Sequence, residues 1–201
     1  YKRIMINNFN LIQPLLSFDN PGDCYFLQIL KRQKDNPEME RNMEVIDNMM
    51  IYSLEDYCNK TEKIADICTK NNARAYLRIN RRNTEQLALA TLSKITSLLI
   101  SKEYKAVKNA YWSAAGNSHS EPIKRWIVDV DCVVPPHKWD DYVNNVRHII
   151  YDLHVECNRN SKQGIYKQLL EIPTRNGIHI ITNPFNVQKF RQLCIDQIDI
   201  H

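Results

Sequence analysis

The sequence predicts an α+β fold, with short antiparallel strands and amphipathic helices in one chain, and three observations support it. Strand-length apolar runs recur at residues 24–30, 73–80 and 124–132, separated by longer stretches of helical periodicity. Two further runs, 166–172 and 178–182, flank the polar turn Pro173-Thr174-Arg175-Asn176-Gly177, and Asn-Gly is a strong hairpin signal. Glycine is scarce: four residues, with neither G-x-G-x-x-G nor G-x-x-x-x-G-K-[ST]. Dinucleotide-binding parallel sheets and P-loop folds are thereby disfavoured. The expected organisation is an N-terminal α/β part over 1–120 and a C-terminal part over 121–201. Together they would form one compact unit, incomplete at its C-terminal end.

In chain order, residues 1–20 form a helical or irregular lead-in, interrupted at Pro14 and closed by the turn Asp19-Asn20-Pro21-Gly22-Asp23. Strand 24–30 runs into the basic loop Lys31-Arg32-Gln33-Lys34. A strand is expected near 49–53 and a helix over 61–70, ended by Asn71-Asn72. In strand 73–80 the alternation puts Arg74, Tyr76, Arg78 and Asn80 on one face and Ala75, Leu77 and Ile79 toward a core. Helix 84–101 opens on Asn83-Thr84-Glu85, with Leu87, Leu89, Leu92, Ile95, Leu98 and Leu99 as its apolar stripe. A second helix, 103–115, ends at Gly116-Asn117. After Pro135-Pro136 a helix over 138–158 buries Tyr142, Val143, Val146, Ile149, Ile150, Leu153 and Val155. His148 and His154 are then surface or satisfied packing residues. A short helix at 186–194 precedes the terminal run Ile198-Asp199-Ile200.

The 201 residues carry a formal charge of +4, with 43% hydrophobic and 25% charged residues, ordinary values for a globular chain. That mild basic excess permits a nucleic-acid or nucleotide partner without requiring one. No stretch approaches 18 uninterrupted apolar residues, so no membrane partner is expected. The first residue is Tyr1, and no signal-peptide pattern follows it, so the chain is expected to begin inside a longer product. Six scattered cysteines without a C-x-x-C pair fit a reducing, cytoplasmic location better than a disulfide frame or a zinc site.

The chemistry concentrates around Ile127-Val128-Asp129-Val130-Asp131. Side chains two apart on a strand share a face, roughly 6.5–7 Å from one another. Two carboxylates so placed repel unless a cation sits between them, and hard divalent cations take oxygen ligands. The alternative is structural, with Asp131 starting a turn and Asp129 paired to a basic side chain. In the hairpin, Gly177-Ile178-His179 sets an imidazole on the face opposite Ile178 and Ile180. Thr174, Arg175, Asn176 and Gly177 crowd the turn before it, a seat for a triphosphate if backbone N–H groups and a guanidinium converge. Asp199 would complete a metal site begun by Asp129 and Asp131, with Asp196 as its rival.

These elements, h-h-D-h-D at 127–131, small-x-His at 177–179 and h-D-h at 198–200, resemble the three motifs of the archaeo-eukaryotic primase superfamily, most tightly over residues 124–201. The strand running into Ile79-Asn80-Arg81-Arg82 is loosely similar to the arginine-bearing strand of its primase-polymerase branch. The resemblance implies a primase-like core, an RRM-like antiparallel sheet module packed against an N-terminal α/β part. It implies template-dependent nucleotidyl transfer, with Asp129, Asp131 and Asp199 holding Mg²⁺ or Mn²⁺ and His179 contacting the incoming nucleotide. Arg175, Arg78 and Arg82 would neutralise the triphosphate, while Lys31, Arg32 and Lys34 would meet a single-stranded DNA template. A replicative helicase or accessory primase domain would be a partner. Gly177 stands where the family commonly has Ser. Two other functions use the same features: a metal-dependent nuclease with water as nucleophile, and a catalytically silent single-stranded nucleic-acid-binding module.

Overall fold

The computed structural model describes residues 6–121, 124–159, 168–194 and 198–201, with the backbone alone at 155–159, 168 and 169. Its elements are α1 (Phe9–Ile12), β1 (Asp23–Arg32), β2 (Met43–Ile51), α2 (Leu54–Asn71), β3 (Arg74–Asn83), α3 (Thr84–Ile100) and α4 (Ala110–Asn117). There follow β4 (Trp126–Asp131), α5 (Trp139–Arg159), β5 (Gln168–Pro173), β6 (Gly177–Thr182), α6 (Val187–Leu193) and β7 (Asp199–Ile200). The fold is α+β, with two antiparallel sheets. The chain divides into two compact units, Gln13–Pro122 and Ile123–His201, the second joined by Tyr1–Ile12. Residues 6–12 therefore go with the C-terminal unit, where Asn8 Nδ2 donates to the Pro173 carbonyl at 2.8 Å.

In the Gln13–Pro122 unit the sheet order is β2-β1-β3. Strand β1 is central, and Cys24, Tyr25, Phe26, Leu27 and Ile29 are nearly inaccessible. Phe26, Cys24 and Met50 pack with Leu87, Ala114 and Ala115 of the helices on one face. Helix α2 begins at Leu54 rather than near residue 61, because Ser53 caps it: its side chain accepts from the Asp56 N–H at 2.9 Å. Asn72, at φ 47°, closes it in the left-handed region, as the Asn71-Asn72 pair predicts. Lys31 and Arg32 lie within β1, not in a loop. Helix α3 departs from its expected stripe. Leu87 and Leu98 are buried, while Leu89 and Leu92 are both 62% exposed, since within this unit α4 and the short 3₁₀ turn Tyr104–Asn109 cover only one side of α3.

Arg81 and Arg82 hold the end of β3. Arg81 meets Asp23 at 3.0 Å, Asp19 at 2.9 Å and Glu121 at 3.1 Å. Arg82 is 4% exposed. Its Nε donates to the Ala115 carbonyl at 2.8 Å, and its Nη1 to the carbonyls of Asn80 and Arg78. Burial, with Arg78 nearby, pushes its guanidinium down to about 10. Beside it, burial pushes the Cys24 thiol up from its ordinary 9.0 to about 11, against the opposing pull of Arg82.

In the C-terminal unit the connectivity is β-α-β-β-α-β and the sheet order β5-β6-β4-β7, each neighbouring pair antiparallel. Val128 and Val130 of β4 point to the helices and join Val146, Ile150 and Leu153 of α5, Phe190 of α6, and Ile180, Phe185 and Ile198 in one core. His154 is buried in that layer, its ring nitrogens beside the Ile150 and Asn183 carbonyls at 2.8 and 3.1 Å. Arg147 grips Glu171 with two 2.6 Å hydrogen bonds, tying α5 to β5.

The 174–177 turn does not use Asn176-Gly177 as a positive-φ pair, since among the described residues only Gly22, Asn72 and Lys102 have positive φ. Gly177 is required for another reason. It opposes Asp131 so closely that a Cβ there would fall 1.9 Å from the Val130 carbonyl oxygen. Gly177→Ala should therefore cost at least about 2 kcal/mol through overpacking against backbone. Gly116→Ala, whose Cβ would meet only Phe26 Cε1 at 3.8 Å, should be neutral or stabilise helix α4 by up to about 1 kcal/mol. Urea denaturation of the two variants measures this contrast.

The raised Cys24 thiol also fixes a pH dependence. The unfolded chain loses that proton near 9, while the folded chain keeps it to about 11. The thiol's contribution is thus whole below pH 9 and is lost as pH rises to about 11. The urea midpoint should fall across that window, and less steeply in Cys24→Ala.

Candidate active site

Burial of Val128 and Val130 against the helices forces Asp129, between them, onto the opposite face of the sheet. The register then decides its neighbours. Asp129 stands opposite His179 on β6 and opposite Asp199 on β7. The three side chains thus share a face and form one row across three strands. With neighbouring strands about 4.8 Å apart, the row spans roughly 10 Å. His179 Nε2 lies 3.3 Å from Asp129 Oδ1, both side chains about one-third exposed (33% and 30%).

Asp131 is two residues further along β4, exposed at the strand's end and opposite Gly177. The turn carrying Thr174, Arg175 and Asn176 sits at that same end of the sheet. Its backbone is partly committed: the Thr174 N–H donates to the Gly177 carbonyl at 2.8 Å, and the Asn176 carbonyl accepts from the Cys132 N–H at 2.6 Å. The expected cradle of backbone N–H groups is therefore reduced by one. The Arg175 and Asn176 side chains are exposed, and Thr174 is half-buried.

Among the described residues no three His, Cys, Asp or Glu side chains gather closely enough to hold a metal ion on their own. The donor chemistry nevertheless suits a hard cation. Mg²⁺ keeps several waters and is bound through one or two carboxylates plus substrate phosphates. Asp129 and Asp199, directly opposite one another, offer that pair. Asp196, the rival third acid, lies outside the described residues.

The remaining expected contacts belong to the Gln13–Pro122 unit. Arg78 is exposed, whereas Arg82 is buried on carbonyl oxygens, an environment built for packing rather than for an exchanging anion. Lys31 lies 3.4 Å from Glu38, Arg32 donates to the Tyr76 hydroxyl at 3.2 Å, and Lys34 is exposed.

One residue beside the row was absent from the expectation. His201 pairs with Ile127 through two 2.9 Å backbone hydrogen bonds, which places its side chain on the same face as Asp199. The sequence signal was the two-residue spacing from Asp199 to His201. No family model matches the chain, and no curated protein or solved structure matches it either.

Like charges directly opposite one another in a sheet are destabilising, by a few tenths to about 1 kcal/mol. Asp199→Asn should therefore raise the denaturation midpoint in EDTA. Added Mn²⁺ should stabilise the parent chain more than this variant, reversing their order at saturation. Parallel melts in EDTA and Mn²⁺ read both effects.

Proposed function

We propose that this chain is the catalytic core of a template-dependent nucleotidyltransferase of the primase-polymerase type. The observation that carries the reading is the row of Asp199, Asp129 and His179 across β7, β4 and β6. The β-α-β-β-α-β connectivity with sheet order β5-β6-β4-β7 supports it further, since an RRM-like module of a primase-like core has that plan. The elements carrying the three motifs then meet on one face although more than sixty residues separate the first from the last.

In this reading Asp129 and Asp199 would hold Mg²⁺ or Mn²⁺, with Asp131 two residues further along β4 on the same face. The bound cation would activate a 3′-hydroxyl toward the α-phosphate of a nucleoside triphosphate and stabilise the departing pyrophosphate. His179, oriented by Asp129, presents its imidazole to the nucleotide's phosphates. Arg175 and the Thr174 and Asn176 side chains, at the same sheet end, add charge and hydrogen bonds to the triphosphate. Gly177 gives no hydroxyl and has no room for one, so Thr174 is the hydroxyl source in that turn. Single-stranded DNA is the template, and Lys34 and Arg78, both exposed, are the proposed contacts to its backbone. Binding through such contacts weakens steeply with salt. A helicase or an accessory primase domain would complete the replication setting. Among the described residues no helix is long and apolar enough to cross a membrane.

The test is nucleotide incorporation on a primed single-stranded template with Mn²⁺. The parent chain should extend the primer, and Asp129→Ala, Asp131→Ala and Asp199→Ala should each lower the rate at least about a hundredfold, the scale of losing transition-state charge stabilisation. Full activity in a double Asp129→Ala, Asp131→Ala variant would refute the assignment. Template degradation without added triphosphates would identify a nuclease instead.

A further inference from the structure

Helix α3 is apolar on two opposite sides. On the inner side Leu87 packs with Cys24, Phe26 and Met50 of the sheet, and Leu98 is buried as well. On the outer side Leu89, Leu92, Thr96 and Leu99 recur at helical spacing, and Ile100 stands four residues beyond Thr96. All of these are exposed, Leu99 at 48% and Ile100 at 78%, as is Tyr104 in the turn that follows. Lys94, two residues from both Leu92 and Thr96, points away from them. The only other charge on the helix is Glu85, in its first turn.

A helix that is apolar all round is normally buried, and monomeric proteins rarely expose so large a continuous apolar patch. Covering it on two copies buries on the order of 1,000 Å² in total, the size at which a specific interface begins. The centre of the face has no charge, so nucleic acid or a strongly charged protein gains nothing there. A second copy does, because a twofold axis sets the same apolar stripe against itself.

The ends of the stripe choose the direction. Glu85 stands at its start, while beyond its end Lys102, Lys105 and Lys108 outnumber Glu103, all of them exposed. Antiparallel packing brings acid to base at both rims. It also sets Leu92 against Leu99 of the second copy and places Thr96 against its own counterpart at the axis.

We infer that this chain forms a twofold dimer through the outer face of α3, with the two helices antiparallel. The inference goes beyond the proposed nucleotidyl transfer and does not rest on it.

Sedimentation velocity of the full chain, followed over micromolar concentrations, should show a monomer–dimer equilibrium. Leu92→Glu and Leu99→Glu each bury an unpaired carboxylate in the pair and should weaken it at least about a hundredfold. Both positions are exposed in the single chain, so circular dichroism should show each variant folded, and either one suffices. Thr96→Cys gives a readout that needs no loss of affinity. On mild oxidation it should cross-link to its own copy far faster than Lys94→Cys, with peptide mapping placing the bond between the two introduced thiols. The inference is overturned if the parent chain stays monomeric at hundred-micromolar concentration. It is equally overturned if a folded Leu92→Glu or Leu99→Glu variant dimerises as tightly as the parent, or if Thr96→Cys cross-links no faster than Lys94→Cys.

Discussion

The burial of Val128 and Val130 beneath α5 and α6 determines where every acidic and imidazole group of the C-terminal unit can stand. Both side chains are fully inaccessible. Burying such a side chain stabilises by about 1.5–3 kcal/mol, so a one-residue slip of β4, which would turn both outward, is strongly disfavoured. With the parity of β4 fixed, Asp129 has to face away from the helices. Ile180 and Ile200 pack into the same core from the neighbouring strands, so His179 and Asp199 follow by the same alternation. Hydrophobic packing on one face thus sets the polar row on the other.

This arrangement has an electrostatic cost that the packing offsets. Asp129 is opposed by one carboxylate and one imidazole. On the His179 side, the ring Nε2 approaches Asp129 Oδ1 to 3.3 Å. On the Asp199 side the register sets a second carboxylate, and that pair would gain most from a divalent cation. Gly177 contributes to the same geometry: the close passage of its backbone by the Val130 carbonyl keeps the 174–177 turn tight against the end of β4.

Much of this was legible in the sequence, and the failures have physical causes. The paired Asp129 and Asp131 follow from period-two alternation, which acts locally, and the hairpin after α5 forms where expected although its turn does not use the positive-φ Asn-Gly pair. The convergence of Asp129, His179 and Asp199 into one row depends on strand order, which no local pattern encodes. The importance of Gly177 was visible but not its cause, since contact with a carbonyl 47 residues away leaves no local trace. Helix α2 was expected to begin too late because its Ser53 cap lies between apolar Tyr52 and Leu54, where alternation mimics a strand. Arg82 appeared to be a phosphate contact because strand 73–80 was expected to stop early. In the structure β3 continues to Asn83, and the Ala115 carbonyl captures the guanidinium. The stripe of α3 was expected too broad, because periodicity shows which residues share a face but not how much of that face a neighbour covers.

Under the proposed function, Asp129 and Asp199 would hold one divalent cation. Anomalous diffraction from crystals soaked in Mn²⁺ measures this directly. A manganese peak at the Asp129 and Asp199 carboxylates, beside His179 and the 174–177 turn, is the expected result. Manganese bound elsewhere, or both carboxylates without metal at saturating Mn²⁺, would contradict it.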